Sequence, residues 1–172
     1  VCIYPAFVEQ VASSLKGTNI KVATVVNFPQ GDQENKTISL TIENALKDGA
    51  LEFDVVIPYQ RFLQTQEASV LKQFVKYCKS LLPQQRLKII LETGAFHDMQ
   101  LLDSAATACL EGGANFLKTS TGKIAQGASL DTAAVVIGAI QRFGDVSRGF
   151  KASGGVRHYA QACKYYTLAQ MM

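Results

Sequence analysis

Short runs of β-type residues alternate with amphipathic helical segments along the whole of this sequence, and no two runs are joined by a hairpin turn. The expected strands are Val1-Cys2-Ile3-Tyr4, Ile20 to Phe28, Leu51 to Ile57, Leu87 to Glu92, Asn115 to Thr119 and Gly149 to Ala152. Between them, Ile38 to Lys47 puts Ile38, Ile42, Ala45 and Leu46 on one helical face. Gln66 to Ser80 repeats Val70, Leu71, Phe74, Val75 and Cys78 at helical spacing. Asp98 is placed to cap a helix over Asp98 to Glu111 that ends at Gly112-Gly113; Asp131 to Arg142 and Arg157 to Ala169 complete the series. Strands separated by helices pair in parallel through right-handed crossovers, so the chain reads as one α/β domain over residues 1–172.

Six βα units are visible. An open doubly wound sheet can use six, whereas a closed (βα)8 barrel needs eight, so the count alone favours the open sheet. A weak internal repeat adds information. Leu46 to Asp54 and Leu110 to Lys118 share a helix end, a Gly-Ala turn (Gly49-Ala50, Gly113-Ala114) and a charged residue five positions after the glycine.

Those charged residues matter because they lie inside apolar strands, where burial costs several kcal/mol without a partner or a task. Asp54 sits in Phe53-Asp54-Val55-Val56, Lys118 in Phe116-Leu117-Lys118-Thr119, and Lys151 in Gly149-Phe150-Lys151-Ala152. Alternation along a strand places Glu52 and Asp54 on one face. For a lone Asp or Lys, a buried ion pair without chemistry is the better reading. Three such groups near the C-terminal ends of strands, where barrel active sites form, favour function. Two lysines in one apolar cavity suit amine catalysis, because desolvation and a second cation both penalise the ammonium. A free amine attacks an aldehyde, the iminium draws electrons from the adjacent carbon, and the Asp54 carboxylate can move protons.

Glycines and hydroxyls follow both lysines: Thr121-Gly122-Lys123 after Lys118, and Ser153-Gly154-Gly155 after Lys151. Such turns let backbone N–H groups approach an anion, and phosphate is the natural ligand. A nucleotide P-loop is excluded, because Ile124 follows the lysine where Ser or Thr is required and the leading glycine is absent.

Five segments then become specific together. Lys118-Thr119-Ser120-Thr121-Gly122-Lys123, Phe53-Asp54-Val55-Val56-Ile57-Pro58-Tyr59, Gly149-Phe150-Lys151-Ala152-Ser153-Gly154-Gly155-Val156-Arg157, Val25-Val26-Asn27-Phe28-Pro29 and Leu91-Glu92-Thr93-Gly94 resemble deoxyribose-phosphate aldolase, in order and at family spacing. The resemblance spans essentially the whole chain and outweighs the strand count. It implies a TIM (βα)8 barrel, here apparently truncated to about six βα units, with the first strand and helix and the last strand missing. That agrees with a chain opening at Val1 inside an apolar run, which reads as a fragment. It implies reversible cleavage of 2-deoxy-D-ribose 5-phosphate to acetaldehyde and D-glyceraldehyde 3-phosphate. Lys118 corresponds to the Schiff-base lysine, Lys151 to the lysine that perturbs it and transfers protons, and Asp54 to the proton-relay aspartate. Thr121, Gly122, Lys123, Gly154 and Gly155 correspond to positions around the substrate phosphate, and Cys2 to a cysteine lining the site. Two alternatives stay open: another Schiff-base sugar-phosphate aldolase, or a catalytically impaired piece that retains the site residues.

The remaining features bound the answer. A net charge of +3 with no dense Lys/Arg run excludes a nucleic-acid surface, and no stretch approaches the length of a membrane span. The expected partners are a small phosphorylated sugar and acetaldehyde, with a homo-oligomer left open. No His/carboxylate or Cys/His cluster has metal spacing, and the chemistry needs no cofactor. The four cysteines lack a C-x-x-C pair and read as reduced thiols in a cytoplasmic protein. His97 and His158 are isolated and read as solvated. Tyr59, Phe62 and Phe74 read as core and rim. Lys88 and Glu92 share a strand face, and either an ion pair between them or no link fits the sequence.

Overall fold

The computed structural model describes residues 1–172. Six strands, β1 (Cys2–Ile3), β2 (Ala23–Val26), β3 (Glu52–Val56), β4 (Arg86–Ile90), β5 (Phe116–Lys118) and β6 (Gly149–Lys151), form one parallel sheet in sequence order. Seven helices connect and flank them: α1 (Val8–Ser14), α2 (Asn35–Lys47), α3 (Tyr59–Thr65), α4 (Ala68–Leu81), α5 (Met99–Glu111), α6 (Leu130–Phe143) and α7 (Tyr159–Met171). Strand order equal to chain order is the barrel pattern; an open doubly wound sheet reverses direction at a switch point. The end strands β1 and β6 do not pair with each other.

The central strands explain why the chain folds this way. All four residues of β2, Phe53 to Val56 of β3 and Leu87 to Ile90 of β4 are buried, as expected for strands covered on both faces. Their outward faces pack on Ile38 and Ile42 of α2, Leu71 and Val75 of α4, and Leu102 and Ala106 of α5, within one cluster of 32 buried residues. Burial fades toward the sheet's ends: every residue of β6 is half-buried, and α7 buries none.

The internal repeat is a repeated helix stop. Gly49 and Gly113 adopt φ of 101° and 104°, a conformation glycine reaches without a Cβ clash. In both places the following alanine N–H returns to the helix, from Ala50 to the Ala45 carbonyl and from Ala114 to the Cys109 carbonyl. Asp98 caps α5 as expected, accepting from the Gln100 and Leu101 amides.

Three expectations need correction. The second strand begins at Ala23, not Ile20, which is 52% exposed, and it ends before Asn27, whose φ of 56° breaks the extended run. The helix expected over Gln66 to Ser80 starts two residues later, as α4, and is preceded by a separate, unexpected helix, α3. Gln66 takes a left-handed conformation and closes α3 without a glycine, so the sequence carries no stop signal there. Helix α1 lies outside the expected series; it buries only Val8 and has no side-chain cap.

Candidate active site

Asp54 is fully buried on β3 and is the point where the sheet's charged side chains meet. Lys118 Nζ donates to its Oδ2 at 2.8 Å, Lys151 Nζ to the same oxygen at 2.9 Å, and Lys88 Nζ to Oδ1 at 3.0 Å. The Cys2 thiol donates to Oδ2 across 3.6 Å. These groups come from β1, β3, β4, β5 and β6. Strands lie about 4.8 Å apart in the hydrogen-bonding direction, so β6 would stand about 14 Å from β3 in a flat sheet. Only a sheet curled about this face lets Lys151 and Cys2 reach one carboxylate from opposite sides.

The register explains the convergence. Asp54 lies opposite Lys88, Ile90 opposite Lys118, and Lys118 opposite Lys151. Even positions of β3, β4 and β5 therefore share the concave face, which puts Glu52 beside Asp54. Glu52 takes a second bond from Lys88, at 2.6 Å. The carboxylate is thus divided: Oδ1 is tied to the structural pair Lys88–Glu52, and Oδ2 faces the two lysines singled out from the sequence.

Electrostatics fixes the resting state. Burial works to protonate Asp54, but the charges of Lys118 and Lys88 and the hydrogen bonds from Lys118 and Lys151 overcome it, holding the carboxyl well below the usual carboxylate range. Burial works to lower the proton affinity of Lys151. The hydrogen bond and charge of Asp54 win, and Lys151 titrates above the ordinary lysine range. This corrects the expectation of two cations repelling across an apolar cavity. An anion stands between them and tightens the proton on Lys151. Cys2 is pushed up, first by burial and then by Asp54, so its thiol is no ready nucleophile.

The glycine turns lie above this cluster and touch each other. Gly122, Gly154 and Gly155 have φ of 75°, 80° and 87°. The Ala128 amide donates to the Gly154 carbonyl at 3.0 Å, and a Cβ on Gly127 would lie 2.3 Å from that oxygen. Ser153 exchanges bonds with Thr119 and Ser120, so the loops after β5 and β6 form one unit. Lys123 places its ammonium 5.8 Å from the centre of the Tyr4 ring. The structure therefore brings Thr121, Gly122, Lys123, Gly154 and Gly155 to the C-terminal mouth above Lys118 and Lys151.

The Lys88–Glu92 pair does not form. Lys88 bonds Asp54 and Glu52, while Glu92 turns away through a left-handed backbone (φ 55°) and binds Thr121. Sequence reasoning thus missed the role of Lys88, although Leu87-Lys88-Ile89-Ile90 carries the same charge-in-an-apolar-strand signal. A surface cleft of about 580 Å³ lies elsewhere, between Gln30, Gln33, Arg61 and Gln73, and shares no residue with the cluster.

The family model for DeoC/LacD family aldolase matches residues 1–165. The chain belongs to the DeoC/LacD aldolase family. It is 40% identical over 171 residues to deoxyribose-phosphate aldolase of Agrobacterium fabrum (strain C58), covering 99% of this chain and 66% of that relative's length. The chain therefore spans just under two thirds of this curated family member. The apo crystal structure of a Toxoplasma gondii ME49 protein assigned as a deoxyribose-phosphate aldolase superposes with a TM-score of 0.89 at 30% identity, over 99% of this chain and 70% of the other. The tetrameric deoxyribose phosphate aldolase of Aeropyrum pernix shares the fold, with a TM-score of 0.81 at 24% identity over 97% of this chain and 68% of the other. The six-stranded parallel sheet is thus the α/β fold of the family's barrel, as the motifs implied.

Proposed function

We propose that residues 1–172 act as one domain carrying the site of a Schiff-base aldolase. It reversibly cleaves 2-deoxy-D-ribose 5-phosphate to acetaldehyde and D-glyceraldehyde 3-phosphate. The observation that carries this reading is a single carboxylate oxygen, Asp54 Oδ2, bonded at once to Lys118 Nζ at 2.8 Å and Lys151 Nζ at 2.9 Å. That bridge gives a proton a path between the two amines, which amine catalysis requires.

Lys118, shedding its proton along this path, adds to the C1 carbonyl of the open-chain sugar. The carbinolamine then loses water to give an iminium. Removal of the C3 hydroxyl proton breaks the C2–C3 bond, and its electron pair flows into the iminium as an enamine. D-Glyceraldehyde 3-phosphate leaves. Protonation of the enamine at C2 and hydrolysis release acetaldehyde and restore the amine. Asp54 and Lys151 are placed to carry these protons. Thr121, Gly122, Lys123, Gly154 and Gly155 are the groups for the substrate phosphate, and Cys2 lines the pocket. No cofactor enters the scheme. The tetrameric Aeropyrum relative supports self-association as a homo-oligomer. The free, buried thiols of Cys78 and Cys109 support a cytoplasmic location.

Acetaldehyde with borohydride tests the reading. The expected result is one reduced adduct on Lys118 of the folded chain, absent from Lys118→Met. No adduct, or one confined to Lys151, would overturn it. Trapping without cleavage of deoxyribose phosphate would leave the amine chemistry standing and remove the assigned substrate.

A further inference from the structure

Glu92 is fully buried and makes no ion pair. Its two carboxylate oxygens are spent on one residue: Oε1 accepts from the Thr121 amide at 3.2 Å, and Oε2 accepts from the Thr121 hydroxyl. With its proton pointed at Glu92, the Thr121 oxygen accepts from the Lys123 amide at 3.0 Å. The turn is thereby fixed residue by residue. The Thr121 and Lys123 amides are consumed, while those of Gly122, Gly154 and Gly155 find no protein acceptor. Three free N–H groups remain on glycines in left-handed conformations, on two loops held together at Gly127 and Gly154.

This arrangement opposes two costs. A non-glycine residue at φ 55° is strained, and a carboxylate facing only neutral donors pays desolvation. Burial accordingly pushes Glu92 above the usual carboxylate range. A glutamine would spare the charge and could still accept from the Thr121 amide, but toward the hydroxyl its nitrogen can only donate, so that bond would reverse and the Thr121 proton would lose its acceptor.

We propose that Glu92 is a positioning residue for phosphate recognition. By gripping Thr121 from just beyond the end of β4 it holds the Thr121–Lys123 turn so that the free glycine amides point at the substrate's phosphoryl oxygens. The inference rests on the proposed phosphate role of this turn, and Glu92 itself touches neither substrate nor the reacting amine.

The test uses Glu92→Gln and Glu92→Ala in the full chain, with three probes trapped on Lys118 by borohydride: acetaldehyde, 2-deoxyribose and 2-deoxyribose 5-phosphate. Wild type is expected to reach half-maximal trapping at lower concentration with the phosphorylated sugar than with the plain one. In Glu92→Ala this advantage should shrink about tenfold, the value of a hydrogen bond to a charged group, with Glu92→Gln intermediate. Acetaldehyde trapping should be unchanged. Calorimetric binding of inorganic phosphate to the resting protein should weaken in the same order. An unchanged phosphate advantage, or an equal loss for all three probes, overturns the proposal. If Glu92→Ala does not fold, Glu92→Gln decides by the same criteria. Absence of any trapping in wild type would sink the Schiff-base reading alone. Phosphate binding then still decides the role of Glu92, and a wild type that binds no phosphate refutes it.

Discussion

Replacing Asp54 by Asn removes the one anion that three ammonium groups share, and the structure shows how the loss divides. Lys88 keeps Glu52 at 2.6 Å, so it remains paired. The Lys151 side chain is 34% exposed and can turn to water, which limits its share. Lys118, with a side chain only 9% exposed, is the group left stranded. Breaking a buried pair by removing one partner costs about 3–5 kcal/mol. An independent ceiling agrees. The stranded lysine can shed its proton, and neutralising an ordinary lysine at pH 7 costs about 1.36 × (10.4 − 7), or about 4.6 kcal/mol. The two figures coincide, so the variant should lose about 3–5 kcal/mol at pH 7. In the variant the unfolded chain binds more protons than the native one between neutrality and the ordinary lysine range, so its stability rises with pH there. Urea unfolding of wild type and Asp54→Asn at pH 7 and pH 9.5 measures both effects. The deficit should shrink by at least about 2 kcal/mol at the higher pH. The double variant Asp54→Asn/Lys118→Met should recover a similar amount at pH 7. A deficit under about 1 kcal/mol, or one indifferent to pH, would refute the account of Asp54 as the shared counter-ion.

Asp54 titrates below its unfolded value, so its stabilisation is present above about pH 4 and lost as the pH falls further. Lys88→Met removes one of the cations responsible and should move the acid-unfolding midpoint upward by about 1 pH unit, read by circular dichroism. Gly127→Ala sets a Cβ 2.3 Å from the Gly154 carbonyl oxygen and should part the two glycine loops. We expect a loss of about 1–3 kcal/mol and weaker phosphate binding by calorimetry. Burial pushes Cys78 up to about 12 and Cys109 further, so a chromogenic disulfide should titrate Cys163 first, the accessible but raised Cys2 more slowly, and neither Cys78 nor Cys109 before unfolding. Four fast thiols in the native state would contradict the packing.

What could be read from the sequence follows physical locality. The strands and most helices were legible because burial on both faces forces apolar runs and the helices carry a periodic stripe. Charged residues inside those runs exposed Asp54, Lys118 and Lys151 for the same reason. Which groups pair was not legible. Lys88 bonds Asp54 because the β3–β4 register sets them side by side, and register is a property of two strands that neither sequence segment states alone. Glu92 turns to Thr121 because its backbone leaves the strand at φ 55°, and no local residue pattern announces that turn. Helix α3 ends on Gln66 in a conformation usually given to glycine, so its stop was invisible for a related reason.

The repeated helix stop gains its meaning from the barrel's stagger. Both copies deliver a charged residue five positions after the glycine, Asp54 on β3 and Lys118 on β5. Along the hydrogen-bonding direction, Asp54 pairs with Lys88 and Lys88 with Phe116, so Lys118 stands two residues further up its strand. A barrel of eight strands and shear 8 staggers by about one residue per strand within a layer, which over two strands is that offset. Asp54 and Lys118 therefore occupy one layer of the interior, supplied by alternate strands. Lys88 and Lys151, each in direct register with one of them, come from the intervening strands and flank the layer from the side. A carboxylate that must serve two amines and be held by a third is best placed by such a geometry. Strand curvature brings all four side chains to one point without a flexible loop, so the proton path proposed between Lys118 and Lys151 would be set by the same pairings that hold the sheet together.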